Sequence, residues 1–145
     1  IKLHMIGKLQ TNKVKLAVQI FDYIHSVDSE KLAKKIADEQ SKINKNIKIF
    51  LQVNIGNEYQ KSGINKDGTE RLVSFSKGIG LNVIGLMCIP PMDTDPEGYF
   101  VEMNKLKKDF GFDELSMGMS SDYLTAIKHF STYVRIGSSI FGQRS

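Results

Sequence analysis

Hydrophobic positions along this chain switch repeatedly between two periods. Short, dense apolar runs ("KLHMIG", "YIHSV", "IKIFLQVNI", "LNVIGLMCI", "ELSMGMS" and "YVRIGSSI") read as strands. The stretches between them repeat at helical spacing. "TNKVKLAVQIF" places Val14, Ala17, Val18 and Phe21 on one face, with Thr11 able to cap it. "SEKLAKKIADEQSKI" turns Leu32, Ile36 and Ile43 inward and its lysines outward. Leu72, Phe75 and Ile79 mark a third helix. Asp95-Pro96 opens a fourth, with a stripe of Phe100, Met103, Leu106 and Phe110, and "SSDYLTAIKHF" forms a fifth.

This alternation predicts six strands joined by five helices, hence a parallel sheet covered by helices. An open doubly wound sheet and part of a (β/α)8 barrel both satisfy it. A whole barrel takes about 200–250 residues and eight strands. At 145 residues this α/β chain would supply about the last six βα units of an incomplete TIM barrel. It opens inside a strand-like run without an initiating methionine, so a fragment lacking its first strands is expected, with residues 1–145 as one domain.

Period-two alternation assigns faces. Ile47, Ile49, Leu51, Val53 and Ile55 should pack on helices, while Lys48, Phe50, Gln52 and Asn54 look into a barrel or cleft. In the last strand Val134 and Ile136 face the helices, and Tyr133 and Arg135 face inward. His4 and Ile6 share a face of the first strand. His4, Asn54 and Arg135 are therefore expected to converge near the strands' C-terminal ends. Arg135 carries the most information, because a buried guanidinium keeps its charge and needs a partner.

Two late turns read as anion sites. "GMSSDYL" brings Gly118, Met119 and Ser120 to a helix start, and "RIGSSIFG" brings Gly137 and Ser138 to a second bend. Phosphate sites of TIM barrels are often built by the loops after the last two strands, which favours the barrel and a phosphorylated ligand.

Composition narrows the partners. The hydrophobic share is 41% and the charged share 25%, enough apolar content for a packed core. The net charge of +4 is mild and its lysines are scattered, so specific nucleic-acid binding is not expected. One cysteine, Cys88, cannot form an internal disulfide and suits a reducing, cytoplasmic setting. No apolar run reaches the ~18 residues of a membrane span, and no secretion signal is visible.

Five stretches, in order, resemble the pyridoxal phosphate homeostasis protein family, whose fold is that of the alanine racemase N-terminal domain. They are "HMIGKLQTNKVK", "VNIGNEYQKSG", "GLMCIPP", "LSMGMSSD" and "VRIGSSIFG", and they span nearly the whole chain. The resemblance implies a (β/α)8 barrel holding pyridoxal 5′-phosphate (PLP) at its C-terminal mouth. It implies that Ser120, Gly137 and Ser138 hold the phosphate; Met119 beside them, with His4 and Asn54 from the strand faces, completes the expected cofactor-binding set. It implies that Arg135 faces the pyridine nitrogen and keeps it unprotonated, weakening the ring as an electron sink. The family's covalent lysine is expected upstream of Ile1. The resemblance thus implies an intracellular PLP homeostasis protein without turnover, with no catalytic residue and no metal. Such a protein would be a monomer when intact and could exchange PLP with apoenzymes. The alternative is an amino-acid racemase-like PLP enzyme. Lys61, in "QKSG", reads as an exposed loop lysine.

Overall fold

The computed structural model describes residues 1–145. Its strands are β1 (His4–Met5), β2 (Tyr23–Val27), β3 (Lys48–Gln52), β4 (Asn82–Met87), β5 (Glu114–Met119) and β6 (Tyr133–Arg135). The helices are α1 (Val14–Ile20), preceded by a 3-10 turn at Thr11–Lys13, α2 (Glu30–Lys42), α3 (Lys66–Gly78), α4 (Glu97–Asp109), α5 (Tyr123–Lys128) and α6 (Ser138–Phe141). The strands form one sheet in the order β1-β2-β3-β4-β5-β6, and every pairing is parallel. This order decides between the two architectures. A doubly wound sheet reverses direction at a switch point, whereas here each strand–helix unit adds the next neighbour in sequence, as in a (β/α)8 barrel. The molecule is an arc of that barrel, with β1 and β6 as its open edges.

Local chemistry sets the helix boundaries. Ser29 caps α2 by accepting from the Leu32 N–H at 3.2 Å, and Asn65 caps α3 by accepting from Gly68. Asp95 accepts from the Glu97 N–H at 3.0 Å, fixing the start of α4 beside Pro96. Thr11 caps nothing; Gln10 occupies that position. Ile43, expected inward, is exposed because α2 ends at Lys42 and Asn44 turns the chain with φ of 52°. The last strand is shorter than its sequence pattern suggests: after Gly137 the chain turns into α6, so Ser138 begins a helix.

The apolar core lies between sheet and helices. It joins Ile49, Leu51 and Val53 to Val14, Ala17, Val18, Leu32, Ile36, Leu72, Phe100 and Met103, all buried. At ~1.5–3 kcal/mol for each large aliphatic or aromatic side chain, this layer dominates the fold's stability. The opposite face of the sheet carries a small second cluster, Tyr23, Phe50 and Met87, with Ile84 and Tyr133 packed on it. Phe50 thus points inward, as alternation predicts.

Candidate functional site

The inner face is not apolar throughout. His4 from β1, His25 from β2, Ser116 from β5 and Arg135 from β6 form one hydrogen-bonded series across the arc. Arg135 Nη1 donates to Ser116 Oγ at 2.7 Å, Ser116 Oγ lies 2.8 Å from His25 Nδ1, and His25 Nε2 lies 2.9 Å from His4 Nδ1. His4 stacks on Tyr23 with ring centroids 4.0 Å apart, and His25 stacks on Phe50 at 4.4 Å. At the other end of the strands Lys48 donates to the Tyr23 hydroxyl at 3.2 Å.

Arg135 has no carboxylate partner. Its second hydrogen bond runs from Nη2 to the Cys88 carbonyl at 2.9 Å. A guanidinium has five N–H donors and cannot lose its charge, so this one is held among neutral groups with donor capacity to spare. Burial, the largest influence, pulls its pKa down, with Cys88 and Asp122 acting the other way. The Cys88 thiol itself is pushed up to about 12, chiefly by burial, and is no nucleophile.

A cavity of about 610 Å³ opens at the C-terminal ends of the strands. His4, His25, Ile89, Met119, Tyr133 and Arg135 line it, and Gly137 forms part of its rim. A smaller space of about 270 Å³, bordered by Lys48, Phe112, Glu114 and Tyr133, lies at the opposite end. In α/β barrels chemistry sits at the strands' C-terminal face, and only the larger cavity is there.

The two serine-bearing turns meet at this mouth. Ser120 Oγ accepts from the backbone N–H groups of Gly137 and Ser139, both at 3.3 Å. These are long contacts that an anionic oxygen could replace with shorter, charge-assisted ones. A side chain at Gly137 would meet nothing within 4 Å, so that backbone is open to close approach. Asp122 Oδ1 accepts from the Met119 N–H at 2.7 Å and fixes the turn that carries Ser120.

Of the residues singled out from sequence, His4, Met119, Arg135 and Gly137 border the cavity, Ser120 bonds across its rim, and Ser138 follows Gly137 at the start of α6. Asn54 does not converge with them. It lies beyond the end of β3, where strand alternation no longer governs direction. Its side chain donates to the Glu58 carbonyl at 2.7 Å and accepts from the Glu58 N–H at 3.1 Å. Its neighbours are Lys61 and Gly63 in a separate hollow, where Lys61 pairs with Glu58 at 3.2 Å. Val134 and Ile136, expected against helices, also border the cavity, because β6 has a neighbour on one side only. His25 and Ser116 are site residues that the sequence reading misses. Alternation from Tyr23 to His25, and from Glu114 to Ser116, is the signal that places them inward.

His25 gives the site a pH signature. It is 1% exposed, and its pKa is lowered from 6.5 to about 3 by burial first, then by His4 and Arg135. The unfolded chain takes up this proton below pH ~6.5 while the folded chain refuses it until about 3. Stability therefore falls as pH drops through that window, by at most about 1.4 kcal/mol per pH unit. Replacing His25 by Gln should flatten the slope of unfolding free energy between pH ~6.5 and ~4.5, above the range where carboxylates titrate. An unchanged slope in urea titrations across that window would contradict a neutral buried imidazole.

The alanine racemase N-terminal domain family model matches residues 2–145. The chain belongs to this family. The resemblance to pyridoxal phosphate homeostasis proteins is also borne out. A protein of that name from Vibrio alginolyticus is 37% identical over 99% of this chain, and one from Aquifex aeolicus is 36% identical over 97%. The chain spans 66% of the length of each. Among solved structures of the alanine racemase-like fold, PipY of Synechococcus elongatus without PLP superposes with a TM-score of 0.89 at 32% identity. It covers 98% of this chain and 71% of PipY. The same protein with PLP bound gives a TM-score of 0.81 at 30% identity, with the same coverage. No helix here is long and apolar enough to cross a membrane.

Proposed function

We propose that the C-terminal mouth of this arc binds PLP and that the protein serves PLP homeostasis rather than turnover. The observation that carries the reading is Arg135: a half-buried cation with only neutral partners, lining a cavity beside two joined serine turns. The relatives' shared name and the PLP-bound PipY structure support it. The residues present fit the cofactor. The volume lies within the ~300–1,000 Å³ of small-molecule sites. Ser120, the Gly137 N–H and Ser138 would hold the phosphate, Arg135 would face the pyridine nitrogen, and His4 and Met119 would flank the ring. Asn54 is not part of this set. PLP supplies a reactive aldehyde on an electron-poor ring. A permanently charged donor at the ring nitrogen excludes a proton there, which suits storage of PLP over carbanion chemistry. The racemase-like alternative needs a second base, and His25 cannot serve, since both its nitrogens are taken up within the protein. In this reading residues 1–145 form one PLP-binding domain whose first strands and covalent lysine lie upstream. The intact protein is monomeric and cytoplasmic and hands PLP to apoenzymes. The lone reduced cysteine suits that compartment.

The test compares PLP with pyridoxal, which lacks the phosphate, by equilibrium dialysis. PLP should bind more tightly. Ser120→Ala should narrow the difference by about three- to tenfold, the net effect of one ordinary hydrogen bond, while leaving pyridoxal affinity unchanged. Equal affinity for the two ligands in the unmodified protein would remove the phosphate site from these turns.

A further inference from the structure

The series linking His4, His25, Ser116 and Arg135 has a direction, which the chemistry of its members fixes. Ser116 is fully buried, and its hydroxyl touches two partners, Arg135 Nη1 at 2.7 Å and His25 Nδ1 at 2.8 Å. A guanidinium can only donate, so Ser116 spends a lone pair on Arg135. The hydroxyl hydrogen then has one acceptor within reach, His25 Nδ1. Were His25 to carry its proton on Nδ1 instead, the Ser116 hydrogen would be buried without an acceptor, and unsatisfied buried donors are rare in folded proteins. His25 Nδ1 is therefore bare and its proton sits on Nε2. That nitrogen lies 2.9 Å from His4 Nδ1, which must accept, so the His4 proton sits on Nε2. His4 Nε2 makes no hydrogen bond within the protein, and His4 stands in the cavity wall.

We propose that Ser116 and His25 form a one-way hydrogen-bond chain that clamps the Arg135 guanidinium and sets His4 as an N–H donor to an oxygen acceptor on the bound ligand. Ser116 and His25 are positioning residues: neither needs to touch the ligand for the chain to work. The groups facing His25 leave no source of negative charge that would draw a second proton onto it. From β1 comes His4; on its own strand stands Tyr23; β3 contributes Phe50; β5 contributes Ser116; β6 contributes Tyr133 and Arg135. With no carboxylate among them, the chain remains neutral beyond Arg135, which is the one fixed charge in the series. The direction of the chain stands on the ligand-free geometry; its purpose rests on the reading of the cavity as a PLP site.

The test begins without ligand. Long-range ¹⁵N–¹H spectra of the imidazoles should show His4 and His25 both protonated at Nε2 and bare at Nδ1. His25 should hold that pattern from pH ~8 to ~5, the window in which an ordinary histidine titrates. Ser116→Thr keeps the hydroxyl and should keep the pattern. Ser116→Ala should release His25 from its single tautomer and speed hydrogen exchange of the Arg135 side-chain N–H groups by about tenfold. It should also weaken PLP binding by about three- to tenfold. A proton on His25 Nδ1, or a charged His25 at pH ~6, overturns the chain. Unaltered Arg135 exchange in Ser116→Ala overturns the clamp. Failure of the unmodified protein to bind PLP would instead defeat the cofactor reading, and the ligand-free spectra would still decide the chain.

Discussion

Replacing Arg135 by methionine is expected to weaken PLP binding by about ten- to a hundredfold while moving the unfolding midpoint little. The first figure is the loss of a hydrogen bond to a charged group, ~1.5–3 kcal/mol. The second reflects two opposing effects. Methionine leaves the Cys88 carbonyl without the donor that reaches it at 2.9 Å, at a cost of ~1–3 kcal/mol. It also removes a half-buried cation that has no carboxylate partner, and exchanging a charge held away from water for an apolar side chain of similar length is often neutral or stabilising. A residue kept for the fold would behave differently: its loss would lower stability and leave affinity to follow. Arg135→Lys separates charge from shape. An ammonium cannot reach Ser116, Cys88 and a ring nitrogen together as a planar fork can, so lysine should recover only part of the affinity. Dialysis against PLP and urea unfolding of the same three proteins suffice. Equal affinity in the methionine variant would place the pyridine end of the ligand elsewhere.

That Arg135 is visible from sequence, while its surroundings are not, has a physical reason. A charge inside an apolar run is a local conflict, and local conflicts are visible in one dimension. The inward direction of Phe50 and Tyr133 is equally legible, because period-two alternation holds wherever a strand is regular. Asn54 escapes the rule because β3 stops at Gln52, after which the chain bends and the side chain finds the Glu58 backbone. Ile43 escapes for the same kind of reason at the end of α2. The His4–His25–Ser116 series is hidden differently. Every residue of β2 is buried, so polarity does not mark which face is inner. The contacts also join residues 21 and 91 positions apart, through strand registers that shift between Ile24 and Val27 and between Ser116 and Met119. Register is a property of the assembled sheet, and no single segment encodes it.

Gly118→Ala should be the most damaging single-methyl change near the site, costing about 2–4 kcal/mol in unfolding free energy. Two independent penalties add. Gly118 has φ of +98°, which L side chains disfavour, and its added Cβ would stand 2.7 Å from the Ala126 Cβ and 3.0 Å from the Tyr123 Cα. Neither neighbour can yield cheaply. Ala126 is fully buried and already minimal, and the Tyr123 Cα is backbone, so relief requires α5 to move off β5. The turn that would be pulled with it carries Met119 and Ser120, and the Ser120 contacts to Gly137 and Ser139 join the two halves of the proposed phosphate site. The surviving folded protein should therefore lose preference for PLP over pyridoxal as well as stability. Gly80→Ala isolates the backbone penalty, since φ is +83° there and an added Cβ meets nothing within 4 Å; it should cost about 1–2 kcal/mol. Adding Ala126→Gly to Gly118→Ala removes the closer of the two contacts at a helix-propensity cost of ~1 kcal/mol, and should restore the pyridoxal discrimination more than the stability. If Gly118→Ala instead unfolds with the same midpoint as Gly80→Ala, close packing of α5 on β5 is not what holds Ser120 in place, and the phosphate turn must be fixed by the Asp122 bond to Met119 alone.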